Sequence, residues 1–241
     1  NFGLSSRKKI LKNVWIISKK WVEDLVNEYK QNLIQRTFTS FAIMIPIIFV
    51  IYYQNLIFFS LLISLVCLGA FYEWIKNNLA NKALGLFVIL NFGTCSIIFI
   101  VLEDGIISPY LLYLFVIINT AIFDTFAYIV GSNFGKTKIA KKTSPKKTYE
   151  GLFGGILFSG LYSYLICVIF NINFLIIVCF IIGSIFALIG DLFISHYKRK
   201  IGIKDTGKIL PGHGGILDRI DSHLLATPVK VILISQILWI F

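Results

Sequence analysis

The sequence predicts an all-α integral membrane protein, a polytopic bundle of about seven transmembrane helices with two polar loops on one side. Three observations predict this fold. Of the 241 residues, 57% are hydrophobic and only 15% are charged, a balance that soluble domains rarely show. The apolar residues fall into long blocks, several of them near the ~20 residues that a helix needs to cross ~30 Å of hydrocarbon. The Lys and Arg residues, in turn, all fall on one side of these blocks.

Seven apolar segments are candidate spans, which makes residues 37–241 a membrane-embedded domain. The last has 14 residues, so that it crosses only partly or as a tilted helix. The seven segments are residues 37–53, 56–74, 84–102, 108–130, 153–170, 174–194 and 228–241.

The basic residues predict the orientation of these spans. Of the 23 Lys and Arg residues, eight precede the first span, and the others follow the second, fourth and sixth spans or open the last. The three remaining connectors contain none. Because positive charge marks the cytoplasmic side, the N-terminus and the loops of residues 131–151 (loop one) and 195–227 (loop two) are expected in the cytoplasm.

Residues 1–36 are basic, and apolar residues recur at helical spacing between Val14 and Tyr29. This pattern predicts an amphipathic helix on the membrane surface, with a partly ordered tail as the alternative. The net charge of +11 does not indicate nucleic-acid binding, because basic residues beside spans fix orientation and contact anionic lipid.

Loop two mixes acids and bases. Asp218 and Asp221 are three residues apart and share a face if they lie on a helix, and Asp191 ends the sixth span. Carboxylates of this kind bind Mg²⁺ together with substrate phosphates. The nearby positive charge then predicts a metal–phosphate site. It comes from Lys198, Arg199, Lys204 and Arg219.

Two further features favour phosphate chemistry. In loop one, Ser144, Lys146, Lys147 and Thr148 carry groups that bind phosphate oxygens, although the lysines alone would also serve as orientation anchors. In loop two, Gly212, Gly214 and Gly215 flank His213 and allow backbone N–H groups to approach a phosphate; a plain tight turn is the alternative. Asp124 lies within the fourth span, where an acid is costly and indicates function.

These residues together resemble a known family. From Ser195 the sequence SHYKRKIGIKDTGKILPGHGGILDRIDS is similar to the signature of the phosphatidate cytidylyltransferases: Ser, Lys-Arg, Lys-Asp, His-Gly-Gly and Asp-Arg-x-Asp in order. The segment from Asp124 to Gly155, with its SPKKT sequence, and the Glu73–Trp74 pair resemble the family too. The similarity covers about residues 32–227.

The resemblance implies transfer of a cytidylyl group from CTP to phosphatidate, giving CDP-diacylglycerol and pyrophosphate for phospholipid biosynthesis, by a protein of a bacterial cytoplasmic (inner) membrane. It implies Mg²⁺, as two divalent ions, a monovalent cation as a further cofactor, and a homodimer. Asp191, Asp218 and Asp221 are assigned to the metal. Further catalytic candidates are Lys204, Asp205, His213 and Arg219. The candidates for substrate binding are Asp124, Ser144, Lys146, Lys147, Thr148, Ser195, Lys198, Arg199, Gly214 and Gly215.

Two alternatives stay open at this point. An ion-coupled transporter would use Asp124, Glu73 and Asp191 as an ion path, but these acids lie near one face of the membrane. A related CTP-dependent cytidylyltransferase would act on another lipid phosphate, such as an ether lipid. A CDP-alcohol phosphatidyltransferase is disfavoured, because its DGxxAR motif is absent.

Overall fold

The computed structural model describes residues 35, 37, 39–102, 107–207, 209–212 and 214–240. The described part is mostly helical, and a helix forms in each of the seven predicted apolar segments. The predicted amphipathic helix in residues 1–36 lies outside the described residues, apart from residue 35. The helices are α1 (Thr39–Tyr53), α2 (Leu56–Lys76), α3 (Lys82–Leu102), α4 (Pro109–Phe134), α5 (Tyr149–Phe170), α6 (Leu175–Lys200), α7 (Leu217–Ile220) and α8 (His223–Ile240).

Five of these helices, α2 to α6, are long and apolar enough to cross a membrane. Their outward faces carry large apolar side chains, such as Phe87, Phe153 and Ile169, which are about 70% exposed. So much exposed apolar surface is unfavourable in water and suits contact with lipid. The chain is therefore an integral membrane protein. The helices α1 and α8 are apolar but shorter, so the count of seven spans stays a prediction.

Local sequence sets several helix ends. The Asn55 side chain accepts hydrogen bonds from the N–H groups of Ile57 and Phe58 at 2.8 and 3.3 Å and begins α2. Pro109 opens α4, where its missing N–H costs no hydrogen bond. The helix α5 ends at Phe170, and Asn171 after it adopts the left-handed conformation with φ of 53°, as residues after a helix often do.

Loop one differs from the prediction. It is not wholly irregular, because α4 continues to Phe134 and the strands β1 (Lys138–Ala140) and β2 (Ser144–Thr148) follow as an antiparallel hairpin. The fold is thus not purely α-helical. A strand with two Lys and a Pro shows no apolar alternation, and Pro145 is tolerated because a two-stranded sheet consists only of edges. For these reasons the sequence pattern did not predict the hairpin.

Close packing of α4 against α5 brings loop one to the membrane domain. Three glycines on α5 make the approach possible. A Cβ on Gly155 would lie 2.7 Å from the ring of Phe123, and one on Gly154 would lie 2.6 Å from Val130. Just before them, the Thr148 hydroxyl accepts a hydrogen bond from the Gly151 N–H at 3.1 Å and caps α5. The end of β2 is therefore fixed on the start of α5.

A polar cluster lies in the middle of the bundle, around Lys230 of α8. This side chain is fully buried, and its Nζ donates to Asn119 Oδ1 at 2.7 Å and to Thr120 Oγ1 at 2.8 Å on α4. Ser159 of α5 and Ser184 of α6 hydrogen-bond the same Asn119. Polar contacts of this kind hold membrane helices together. Lys230 thus links α4, α5, α6 and α8.

Replacing Lys230 should weaken the bundle. Lys230→Ala removes the donor to Thr120 and leaves space among buried groups, so the variant should lose about 1–3 kcal/mol of stability. The melting temperature of the detergent-purified protein measures this loss. Lys200→Ala, at the exposed end of α6, is the control and should melt like the unchanged protein. Equal melting temperatures for both variants would contradict a structural role for Lys230.

Candidate active site

A polar cavity of about 290 Å³ lies where α4, β2, α5, α6 and α7 meet. Four carboxylates line it: Asp124 of α4, Asp191 of α6, Asp218 of α7 and Asp221 just after α7. The structure thus brings acids from three parts of the sequence to one place. Beside them, β2 contributes Ser144, Lys146, Lys147 and Thr148.

An ion pair joins loop one to α6 across this cavity. Lys147 Nζ on β2 contacts Asp191 Oδ2 on α6, and both side chains are about one-fifth exposed. One turn further along α6, Ser195 donates its hydroxyl to Asp191 Oδ1 at 3.0 Å. Asp191 is therefore held through both carboxylate oxygens, and Lys147 places a positive charge at the cavity wall.

Asp218 is bound more tightly. Its Oδ1 accepts from Lys198 Nζ at 2.9 Å, and its Oδ2 accepts from the N–H groups of Thr206 and Gly215 at 2.8 and 3.1 Å. Burial alone would raise the pKa of Asp218, but Lys198 and the two N–H groups outweigh it and hold the pKa below its ordinary value. A carboxylate with such donors stays ionised. Asp218 thereby connects Lys198, near the start of loop two, with Thr206 and Gly215 further along the same loop.

Asp221 has the opposite environment. Burial, and then the neighbouring Asp191 carboxylate, raise the pKa of Asp221 to about 7. Its Oδ1 accepts from the N–H of Ser222 at 2.8 Å. Two close carboxylates disfavour each other's charge. A cation near Asp191 and Asp221 would relieve that repulsion, which makes this pair the part of the cavity best suited to a metal ion.

The carboxylates fit Mg²⁺ if substrate phosphates and water complete its ligand set. Among the described residues, no three His, Cys, Asp or Glu side chains are grouped closely enough to form a ligand set for a metal. Mg²⁺ commonly uses one or two carboxylates and completes its shell with substrate phosphates and water. Asp191 and Asp221 fit that pattern, while Asp218 already accepts three hydrogen bonds.

Glu73 does not line the cavity but holds loop two beside it, and the sequence analysis did not assign it to the site. Its carboxylate is buried at the end of α2 and accepts from Thr206 Oγ1 at 2.8 Å and from the N–H groups of Ile216 and Leu217 at 3.0 and 2.9 Å. A Cβ on Gly215 would collide with the carboxylate. Glu73 therefore fixes the start of α7. In the sequence, Glu73 was named in the Glu73–Trp74 pair and among the acids of the alternative ion path, but not as a site residue.

The glycine turn in loop two has a structural role. Leu210 and Gly214 exchange backbone hydrogen bonds of 2.9 and 3.1 Å, and Gly214 has a φ of 85°, which favours glycine. The N–H of Gly215 is directed to Asp218. The described part of this turn thus reaches the cavity through the Gly215 N–H, which binds a carboxylate and not a phosphate. His213 lies outside the described residues.

Several other predicted residues do not line the polar cavity. Arg199 donates to the Ile203 carbonyl at 3.0 Å, and Lys204 and Asp205 are exposed outside it. Lys198 is buried and acts on the cavity through Asp218. Arg219 lines a different, apolar cavity.

Comparison with known proteins agrees with the resemblance in the sequence. The cytidylyltransferase family matches residues 76–237. A phosphatidate cytidylyltransferase of Rickettsia conorii is 37% identical over 224 residues, which cover 88% of this chain and 96% of that protein. One of Rickettsia prowazekii is 38% identical over 225 residues, covering 89% and 96%. One of Staphylococcus haemolyticus is 46% identical over 137 residues, covering 56% and 51%. With a match over most of its length and these relatives, the chain belongs to the cytidylyltransferase family.

Proposed function

We propose that this protein transfers a cytidylyl group from CTP to phosphatidate and releases pyrophosphate, giving CDP-diacylglycerol. The observation that carries the proposal is the polar cavity, where the lysines of β2 face the carboxylates of α6 and α7 inside a membrane protein. Positive groups bind the phosphates of both substrates, and carboxylates hold the metal that accompanies a nucleotide. The relatives named phosphatidate cytidylyltransferase support the same reaction.

The reaction needs little proton transfer. A phosphate monoester has a second pKa of ~6, so the phosphatidate phosphate is mainly a dianion at neutral pH. One of its oxygens attacks the α-phosphorus of CTP, the bond from that phosphorus to the β-phosphate oxygen breaks, and pyrophosphate leaves. Catalysis then consists of aligning two polyanions and stabilising their charge. No residue of the cavity has to act as a strong base.

The residues of the cavity divide this work. Lys146, Lys147 and Ser144 of β2 bind phosphate oxygens, and Lys147 exchanges its contact with Asp191 for a contact with substrate. Thr148 mainly fixes β2, because its hydroxyl caps α5. Asp191 and Asp221, with Asp218 at their edge, would hold Mg²⁺, which neutralises phosphate charge when bound. Lys198 keeps Asp218 ionised and in place.

The site is proposed to face the cytoplasm of a bacterial cell with all seven apolar helices in the inner membrane. CTP is soluble, whereas phosphatidate stays in the bilayer, so the cavity must open at an interface. The basic residues around loops one and two support the cytoplasmic side. A related lipid phosphate is the second candidate acceptor, because the cavity binds the phosphate through groups that any such lipid offers.

A turnover assay tests the reaction. Detergent-purified protein receives dioleoyl phosphatidate and Mg²⁺ with CTP, dCTP, ATP, GTP or UTP in turn, and pyrophosphate and lipid product are measured. We expect release with CTP and none in excess EDTA. An ether-linked phosphatidate added in parallel tests the second acceptor. Folded protein that releases no pyrophosphate with any nucleotide would overturn the proposed reaction.

The metal assignment is tested by amide variants of the acids. Asp221→Asn should lower turnover on the order of 10²-fold or more and raise the Mg²⁺ concentration for half-maximal rate, because a ligand is lost. Asp218→Asn should also nearly abolish turnover, since the amide meets donors on both sides. Gel filtration shows whether each variant is folded. A folded Asp221→Asn variant with unchanged Mg²⁺ dependence would show that Asp221 is not a ligand.

Glu73 acts on the site at a distance, and its replacement should show this. In Glu73→Gln the amide NH₂ faces donors in either orientation, the Ile216 N–H or the Thr206 hydroxyl and the Leu217 N–H, so α7 shifts. We expect turnover to fall about 10- to 100-fold, as for partners that orient catalytic ligands, while membrane insertion is kept. Asn77→Ala removes a neighbouring contact to the Thr206 carbonyl and should have a smaller effect. Full activity of Glu73→Gln would contradict the proposed positioning.

A further inference from the structure

A second cavity, of about 400 Å³, lies between α1, α2 and α4. Its size falls within the range of small-molecule sites, ~300–1,000 Å³. Its wall is almost wholly apolar and follows α1 from Ala42 to Ile51, a length of about 14 Å at ~1.5 Å per residue. The polar side chains of Arg219 and His223 lie at the end of this cavity that α7 closes.

The one-turn helix α7 and the residues after it separate this apolar cavity from the polar one. Consecutive residues of this short segment contribute to opposite sides. Asp218, Asp221 and Ser222 line the polar cavity, whereas Arg219, Ile220 and His223 line the apolar cavity. The carboxylates and the apolar space are thus only one helical turn apart.

We propose that the apolar cavity binds an acyl chain of the lipid-phosphate substrate, with the Arg219 guanidinium beside the lipid headgroup at its entrance. This inference rests on the proposed function and adds the place of the lipid tail. Arg219 is exposed, and its charge is complementary to an anionic headgroup. The cavity runs from α7 toward the opposite end of the bundle, as an acyl chain runs from its headgroup into the bilayer.

The shape of the site supports this occupant over a soluble one. A water-soluble nucleotide gains nothing from a wall formed by Ile47, Val50, Leu62 and Val66, since its polar groups would find no partners there. An alkyl chain loses no hydrogen bond in such a space and gains contacts with the wall. A phosphate in the polar cavity would bring the first carbons of its acyl chains close to α7.

Chain-length dependence tests the inference. Val50→Phe and Ile51→Trp fill the end of the cavity that is farthest from α7, so the KM for dioleoyl phosphatidate should rise about tenfold or more. The KM for CTP and the turnover of dihexanoyl phosphatidate should stay unchanged, because short chains do not reach the filled space. Activity with the short lipid also shows that each variant is folded. Leu165→Trp, on the exposed face of α5, is the matched control. It should leave the KM for dioleoyl phosphatidate and the turnover of dihexanoyl phosphatidate unchanged.

Equal effects on the long and the short lipid, or no effect on either, would overturn the inference. A second measurement is independent of turnover. Phosphatidate with a diazirine at the end of one acyl chain should label α1 and α4 near Ile47 and Ile117, and unlabelled phosphatidate should compete. Label that is not displaced, or that is found only on outward residues such as Leu165, would show that bulk lipid fills the cavity. If the unchanged protein has no CTP-dependent turnover, the proposed reaction fails, and the labelling still tests the lipid site.

Discussion

The buried carboxylate of Glu73 is the interaction on which the arrangement of the site depends. A charge out of water is costly unless donors surround it, and here loop two supplies three: the Thr206 hydroxyl and the N–H groups of Ile216 and Leu217. The requirement is mutual, since Glu73 satisfies the first N–H groups of α7, which a one-turn helix cannot satisfy itself. Because α7 is fixed in this way, Asp218 and Asp221 have fixed positions as well.

The two ion pairs of the site differ in how easily they can rearrange. Lys198 and Asp218 are less than one-tenth exposed, and breaking a buried pair leaves an uncompensated charge. Lys147 and Asp191 are about one-fifth exposed, so this pair separates at lower cost. Lys198 therefore maintains loop two, whereas Lys147 is the cation that our proposal moves from its partner to a substrate phosphate.

The sequence was sufficient for the parts of this protein that depend on local patterns. Hydropathy located the apolar helices, and the motifs of loops one and two located residues of the polar cavity. Long-range geometry was not readable. Glu73 contacts residues more than 140 positions away, and no periodicity predicts that contact. Arg219 was expected beside the phosphates, which stays a prediction; its place on the wall of the apolar cavity was not predicted, because a four-residue helix takes its orientation from its surroundings. Lys230 was counted only as a basic residue opening a span, whereas its partners are on α4.

Irregular backbone within a membrane protein is tolerated only where protein groups or water satisfy it, and this condition explains the side chains around loop two. Thr206 donates its N–H to Asp218 and its hydroxyl to Glu73, while its carbonyl accepts from the Asn77 amide at 2.6 Å. Gly215 donates to the same Asp218. With these groups satisfied, the chain between α6 and α7 keeps a non-helical course beside the polar cavity. The same side chains that make the loop stable thus fix α7 as the wall between the polar cavity and the apolar cavity.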